Sequence, residues 1–337
     1  MKLLVCGGAG FIGSNFIRHI LAAWPDVTVV NYDKLTYAGN LDNLVDAPAD
    51  RHLFVQGDIC DAEVLDGVFA EHKPDAVVNF AAETHVDRSI HVGSREFVMT
   101  NVIGTQTILD AVRRHKTEKF VNISTDEVYG TLQLDEPRLF LETTPFEPNV
   151  PYAAAKAGGD LMCRAYFKTF GVPVIVSHCS NNYGPYQFPE KLIPYAIFKA
   201  MADEPVPIYG DGKYVRDWIH VNDHARAIQL MLEKGVPGEV YNIGVDNERH
   251  NIDIVKMILA ELGKPETLTV TVADRPGHDR RYGIDAEKIK KELGWQPVYT
   301  KEKFADGLHE TIQWYRDNTA WVEKLRQRQA EINAHIL

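Results

Sequence analysis

The sequence predicts an α/β protein with a doubly wound parallel sheet and a smaller, mixed α/β C-terminal lobe. Three observations carry this. Short apolar runs alternate with amphipathic stretches through the first half of the chain. Gly7, Gly10 and Gly13, three residues apart, follow the first apolar run and open a helical pattern. Beyond about Ser177 the elements shorten, and prolines and aromatics crowd together, as in Asn182-Tyr183-Gly184-Pro185-Tyr186-Gln187-Phe188-Pro189.

Apolar runs at Lys2–Cys6, Val27–Asp33, His52–Gln56, Ala76–Phe80, Lys119–Ser124 and Val172–His178 are the predicted strands. The fourth follows Pro74-Asp75, a usual lead-in to a strand. Helical periodicity at Phe11–Ala23, Ala62–Glu71, Val98–His115 and Ala153–Phe170 fills the connections. Farther on, Val215–Val221 reads as a connecting strand, and Asp223–Glu233 and Ile252–Leu262 read as helices. From Thr319 onward the chain reads as an exposed helix or a frayed tail.

At 337 residues the chain is long for one core, so two lobes are expected. A net charge of -11 argues against a nucleic-acid surface, which needs clustered Lys and Arg. It leaves room for a small phosphate-bearing substrate held by a few arginines and helix N-termini. Cys6, Cys60, Cys163 and Cys179 show no Cys-x-x-Cys spacing and read as reduced thiols. The first residues lack a signal-peptide pattern, and no run of ~18 apolar residues exists to span a membrane. A cytoplasmic enzyme is the natural expectation.

The glycine pattern has a specific physical reading. Gly7 permits a tight turn, Gly10 lets backbone approach a pyrophosphate, and Gly13 allows close helix–strand packing. Phe11, Ile12 and Gly13 then offer helix N-terminal amides to the anion. Asp33 ends the second strand 20 residues after Gly13. A carboxylate there accepts ribose hydroxyls and repels a 2′-phosphate, so NAD is expected rather than NADP. Asp58 follows the third strand and reads as an adenine contact or as a helix cap. Residues 1–178 are therefore expected to form a Rossmann-type NAD-binding domain. Residues 179–337 are expected to be mainly a substrate-binding lobe, with segments able to return to the first domain.

Tyr152 and Lys156 lie four residues apart and share one helix face. A phenol with a pKa near ~10 is a poor base at neutral pH. A neighbouring ammonium and a positive nicotinamide favour the phenolate, which can then take a hydroxyl proton while hydride leaves the same carbon. About 140 residues after a dinucleotide fingerprint, the pair predicts oxidation of a substrate hydroxyl. His85, His91 and His220 match no metal-ligand spacing, so no metal is expected.

Five further stretches carry a resemblance. They are Asp33–Leu41, Ala81–Ile90, Ser124–Gly130, Ser180–Tyr186 and Arg275–Tyr282. With the glycine fingerprint and the Tyr152/Lys156 pair, the chain resembles the extended short-chain dehydrogenase/reductases over essentially its full length. Among them it is similar to the dTDP-glucose 4,6-dehydratases; Thr84 stands where many members have Ser, so the hydroxyl is kept. The resemblance implies a lyase that borrows NAD: C4 is oxidised, water is eliminated across C5 and C6, and hydride returns to C6. It assigns Tyr152 and Lys156 to the oxidation, Glu127 to C5 deprotonation and Asp126 to protonation of the leaving C6 hydroxyl, beside Thr125. A helix-capping role for Thr125-Asp126-Glu127 is the plain alternative. Asp126 would have to be protonated while Glu127 is ionised, a split that burial and repulsion can produce.

The same resemblance places Lys34, Thr36, Asp58, Ile59, Ala81, Ala82, Thr100 and Asn182 near the cofactor. It places Thr84, Thr125, Asn181, Lys191, Leu192, Pro207, Tyr209, Arg216, Asn251, Arg281 and Tyr282 around the nucleotide sugar, with Arg216 and Arg281 on the diphosphate. It also implies a homodimer built from Val98–His115 and Ala153–Phe170. Rival readings are a UDP-sugar 4,6-dehydratase, a nucleotide-sugar 4-epimerase or a decarboxylase. Epimerases and decarboxylases do not need an acid and a base placed for elimination across C5 and C6, so Asp126-Glu127 discriminates. The discrimination is not absolute, since related decarboxylases and GDP-mannose dehydratases keep the glutamate with Ser before it. A dinucleotide sensor that has lost catalysis is the remote alternative; such proteins usually lose the Tyr or the Lys.

Overall fold

The computed structural model of the chain describes residues 1–333. Twelve strands occur among them: β1 (Lys2–Cys6), β2 (Thr28–Asp33), β3 (His52–Gln56), β4 (Ala76–Asn79), β5 (Lys119–Thr125), β6 (Val174–Cys179), β7 (Asn181–Tyr183), β8 (Val206–Tyr209), β9 (Val215–His220), β10 (Val240–Ile243), β11 (Glu248–His250) and β12 (Thr269–Val272). The helices are α1 (Phe11–Ala23), α2 (Ala62–His72), α3 (Val86–His91), α4 (Arg95–Val98), α5 (Thr105–His115), α6 (Pro151–Phe170), α7 (Leu192–Met201), α8 (Val221–Lys234), α9 (Asn251–Glu261), α10 (Glu287–Leu293), α11 (Phe304–Asp317) and α12 (Thr319–Asn333).

The main sheet has seven strands in the order β3-β2-β1-β4-β5-β6-β10, every neighbouring pair parallel. The order reverses between β1 and β4, and open sheets bind ligands at the carboxyl ends of strands beside such a switch point. Alternation along β1 feeds both faces: Leu3 and Val5 meet Phe16 and Ile20 of α1 and Met231 of α8, while Leu4 and Cys6 meet Ile108, Leu109 and Cys163.

The chain after residue 178 contributes to both lobes. β10 completes the main sheet, and α8, α10 and fully buried Trp295 pack on its α1 face. The smaller lobe has its own core, in which Ile193, Trp218, Ile254, Leu308 and Tyr315 meet. The edges of the predicted elements moved by one or two residues. Thus β6 begins at Val174 because Pro173 has no amide to give to the ladder.

One expectation changes more. The single helix over Val98–His115 is α4, a π-helical stretch over Met99–Gly104, and α5. At the wide turn Asn101 exchanges two 3.0 Å hydrogen bonds with the backbone of Glu83, and its carbonyl faces Gly159 of α6. The segment from Thr319 is a helix, as one of the two expectations had it, with one face exposed and the other packed. This is α12, with Val322 and Leu325 buried and Trp321 packed against the smaller lobe's core. Residues 334–337 lie outside the described residues. No helix among those described is long and apolar enough to cross a membrane.

Candidate active site

The glycine turn sits at the switch point. Gly7 has φ +76°, and a Cβ on it would lie 2.4 Å from the Ala81 amide nitrogen, just after β4. The backbones of the glycine turn and of the Ala81-Ala82 loop can approach only because that carbon is missing. A Cβ on Gly13 would lie 2.3 Å from the Gly7 carbonyl oxygen and 2.9 Å from Gly8 Cα. Gly10 caps α1 with no side-chain bond, and its missing Cβ meets nothing closer than 3.4 Å, so the helix N-terminus is open to an anion. Gly13→Ala is expected to weaken dinucleotide binding at least about tenfold and to lower the melting temperature, because backbone on both sides must shift. Calorimetric titration beside a melting curve checks this; unchanged affinity would remove the close-packing role.

Asp33, at the end of β2, accepts hydrogen bonds from Leu35 N at 2.8 Å and Ala9 N at 2.9 Å. Burial raises its pKa, and the two amides pull the other way. It thereby ties the glycine turn to β2 and fixes a carboxylate beside it. Lys34, Thr36, Asp58 and Thr100 line one cavity of about 650 Å³, together with Glu83 and Arg88. Lys34 pairs with Asp58 at 2.7 Å, and Asp58 also accepts from Cys60 N. Ile59 is buried under the cavity, against the place where Gly104 lacks a side chain. The side chain of Asn182 is spent on the protein, on the Ser180 carbonyl at 3.0 Å and His224 at 2.9 Å. These features fit a dinucleotide: a glycine cradle, an open helix terminus, a fixed carboxylate and a polar cavity.

Beyond the glycine turn, β5 ends in Thr125, whose hydroxyl accepts from Glu127 N and caps the short 3-10 turn Asp126–Tyr129. The capping expected as the plain alternative is present, and it coexists with the chemistry. Cap geometry aims Asp126 inward: it is 2% exposed, and its Oδ2 has no hydrogen-bond partner. Burial, then the Glu127 carboxylate, hold Asp126 well above the ordinary aspartate range against Arg216. Burial also raises Glu127, but Arg275, Arg216 and Lys191 all oppose the rise. Both carboxyls are thus raised, Asp126 the more, with three cations opposing the rise at Glu127.

Pro151 at the first position of α6 fixes the helix start, and Tyr152 and Lys156 follow on its buried face. Lys156 Nζ donates to the Ile123 carbonyl at 2.6 Å. The chain's own groups raise the Tyr152 pKa, through burial first and Glu127 next; the Thr125 hydroxyl, hydrogen-bonded to the phenol, opposes them. Lys156, held on the β5 backbone, is itself pulled down by burial.

On the facing lobe, Arg216 is buried on Tyr282 at 4.1 Å and donates to the Val215 and Asp279 carbonyls. Tyr282 donates to Asp279 at 2.6 Å, and Lys191 donates to the Thr84 carbonyl at 3.1 Å. Asn181 Oδ1 and Asn251 Oδ1 are buried without partners. Leu192 opens α7, Pro207 lies on β8, and Tyr209 stands edge-on to His278 at 6.1 Å.

Arg281 departs from expectation. Its guanidinium makes a two-pronged ion pair with Glu248 at 2.6 and 2.8 Å and donates to the Glu136 carbonyl. The sequence reading missed Arg275, which acts on Glu127 and leaves its buried Nε unpartnered; it lies six residues before Arg281, within the same quoted stretch. It also missed Asp160, four residues past Lys156. This buried carboxylate accepts from Ser124 at 2.6 Å, from Asn122 at 3.1 Å and pairs with His178 at 3.2 Å. Among the described residues no group of three or more His, Cys, Asp or Glu could hold a metal. His85 and His220 instead cap helices α3 and α8.

A glycine turn at the switch point of a seven-stranded parallel sheet, facing a Tyr-x-x-x-Lys helix and a second lobe, defines an extended short-chain dehydrogenase/reductase. The chain belongs to the family described as GDP-mannose 4,6 dehydratase, whose model matches residues 4–310. A dTDP-glucose 4,6-dehydratase of Xanthomonas campestris pv. campestris is 52% identical over 95% of this chain and 94% of its own. The solved structure of the dTDP-glucose 4,6-dehydratase DesIV of Streptomyces venezuelae, with NAD and TYD bound, has a TM-score of 0.92. It is 49% identical, over 96% of this chain and 100% of its own. A UDP-glucose 4-epimerase of Thermus thermophilus, solved with NAD, has a TM-score of 0.86 at 29% identity, over 94% of this chain and 100% of its own.

Proposed function

We propose that the chain is a dTDP-glucose 4,6-dehydratase, a hydro-lyase that holds NAD tightly and yields dTDP-4-keto-6-deoxy-glucose. The observation that carries this reading is the pair at the end of β5: buried Asp126, whose Oδ2 has no hydrogen-bond partner, beside Glu127, on which the charges of Arg275, Arg216 and Lys191 act. An epimerase needs only the oxidation and its reversal, whereas elimination needs an acid and a base at two adjacent carbons.

NAD, held at the glycine turn and Asp33, supplies the acceptor and later the donor of hydride, and a positive charge near the phenol. Tyr152 takes the C4 hydroxyl proton, and the Thr125 hydroxyl steadies the phenolate. Lys156, fixed by the Ile123 carbonyl, supplies a second positive charge to that pocket. With C4 a ketone, the C5 hydrogen is acidic, and Glu127 removes it. Asp126 protonates the C6 hydroxyl, which leaves as water. Glu127 then returns its proton to C5 while C6 is reduced. The proton taken by Tyr152 replaces, through the site's solvent, the one given up by Asp126. Both groups are thus reset, and the sugar has lost one water and no net electrons.

Around this centre, Arg216 and Arg275 are the cations for the diphosphate, and Lys191, Tyr209, Asn181 and Asn251 are the polar contacts for sugar and nucleoside. Arg281 supports them through Glu248 rather than by direct contact. Residues 1–178 carry the cofactor and 179–337 carry most of the substrate contacts. The thymine base is the choice favoured by the dTDP-glucose dehydratases to which the chain is similar; one methyl group separates it from uracil and is worth only about 10–200-fold. The enzyme is placed in the cytoplasm and read as a homodimer. Val98, Met99, Ile103, Leu161 and Phe170, all exposed apolar residues, lie on the α4–α5 and α6 segments expected to pair.

Incubating the purified protein with dTDP-glucose or UDP-glucose and following mass tests the reading. Loss of one water from dTDP-glucose, faster than from UDP-glucose, is expected. An isomer of unchanged mass would make the protein an epimerase, and NAD binding without turnover of either sugar would make it a sensor.

A further inference from the structure

We propose that the C-terminal helix α12 is a latch on the cofactor loop, and that Arg328 is a positioning residue that sets how slowly NAD leaves. This rests on the reading that NAD occupies the cavity behind the glycine turn. The loop after β2 carries Lys34 and Thr36 into that cavity. It is conformationally costly on its own, since Leu35 adopts a left-handed φ of 57° without being glycine. Within the loop only Leu35 N to Asp33 and Gly39 N to the Thr36 carbonyl hold its shape.

Around it, Tyr37 donates to Glu190 at 3.1 Å and packs edge-on to Phe188, Lys34 pairs with Asp58, and Asn40 N donates to the Ala9 carbonyl. The restraints on the two ends of the turn itself come from α12, some 290 residues away in sequence. Arg328 donates from Nη2 to the Thr36 carbonyl at 2.7 Å and from Nη1 to the Gly39 carbonyl at 3.0 Å. One guanidinium thus closes both ends of the turn, a geometry its planar fork suits and an ammonium does not. One turn earlier Lys324 pairs with Asp42, and Trp321 Nε1 donates to Asn43 Oδ1 at 3.0 Å. Asn43 passes the contact on: its Nδ2 donates to the Ala9 carbonyl in the glycine turn at 3.2 Å.

The other side of the helix is anchored in the substrate lobe. Val322 is buried in that lobe's core, and Trp321 stacks edge-on with Trp314 at 5.0 Å. One element rooted in the substrate lobe therefore fastens the two loops that cradle the dinucleotide. Opening the Thr36–Gly39 turn, the movement that would free the cavity, requires the Arg328 bonds to break.

The test is the release rate of NAD from the intact holoenzyme, followed by exchange against excess isotopically labelled NAD. Arg328→Ala is expected to release NAD about tenfold faster, and Arg328→Lys to recover little of the loss. The melting temperature of nucleotide-free protein should change little. Should Arg328→Ala fold poorly, Asp42→Asn removes only the exposed ion pair to Lys324 and is expected to speed release about twofold. Release at the wild-type rate from Arg328→Ala and Asp42→Asn overturns the latch, as does faster release that simply follows a collapse in melting temperature. Wild-type protein that takes up no NAD would overturn the cofactor reading itself.

Discussion

Replacing Tyr152 by phenylalanine is expected to lower kcat on dTDP-glucose by about three orders of magnitude, the middle of the range that a positioned acid–base group contributes. The fold should survive. The ring, which stands edge-on to Phe97 at 6.4 Å, is retained. The hydroxyl lost leaves Thr125 still bonded to Asp126 Oδ1 at 3.3 Å and to Glu127 N. Only the group that receives the C4 proton disappears. Turnover measured with matched cofactor content and melting temperature isolates the chemical step. A kcat within about tenfold of wild type would pass the base role to another group.

Asp126→Asn carries the second large effect. An amide of nearly the same shape cannot protonate the departing C6 hydroxyl, so dehydration should slow by about two orders of magnitude. Oxidation of C4 comes earlier and does not need Asp126. On mixing with dTDP-glucose the variant should therefore build up the near-ultraviolet absorbance of reduced nicotinamide, which the wild type passes through quickly. Stability should not fall, because burial already disfavours the charged form of Asp126 and the amide resembles the neutral one.

The pH profile gives the same assignment its sign. Glu127 must be ionised, so its raised pKa predicts activity lost as pH falls through a value above the usual glutamate range. Asp126 must be protonated, so activity is lost again as pH rises through its raised pKa. The alkaline limb that belongs to Asp126 should be missing from Asp126→Asn. Dehydration by that variant at the wild-type rate would end the acid assignment.

The parallel sheet was readable in the sequence because its strands are short apolar runs between helical patterns and glycines mark the first turn. Lys2–Cys6 and His52–Gln56 fell where the pattern put them. β10 was not readable: four residues, Val240–Ile243, carry too little periodicity, and their place beside β6 depends on a chain returning from the other lobe. The π turn was not readable, because the widening depends on Asn101 meeting Glu83 across space.

In the site, Tyr152 and Lys156 stood out because their spacing and residue types suit one chemistry, whereas Asp126 and Glu127 were singled out by the family resemblance. The choice between arginines was not. Arg275 and Arg281 are chemically identical in a string, and only the position of Glu248 shows that Arg281 is already engaged. The fate of Lys156 was equally out of reach, since its partner is a backbone carbonyl and backbones have no sequence.

Asp160 has a consequence for α6 as a whole. Its carboxylate is met by Asn122 and Ser124 from β5 and by His178 from β6, so donors on two strands converge on one point of the helix. Such a group works as a keyway. Apolar contacts alone would let a twenty-residue helix roll by a fraction of a turn at little cost; a buried carboxylate with fixed partners permits one azimuth only. Tyr152 and Lys156, about two turns and one turn upstream, therefore arrive at the strand ends already aimed. An apolar substitute for Asp160 could leave a well-packed protein with a mis-set tool.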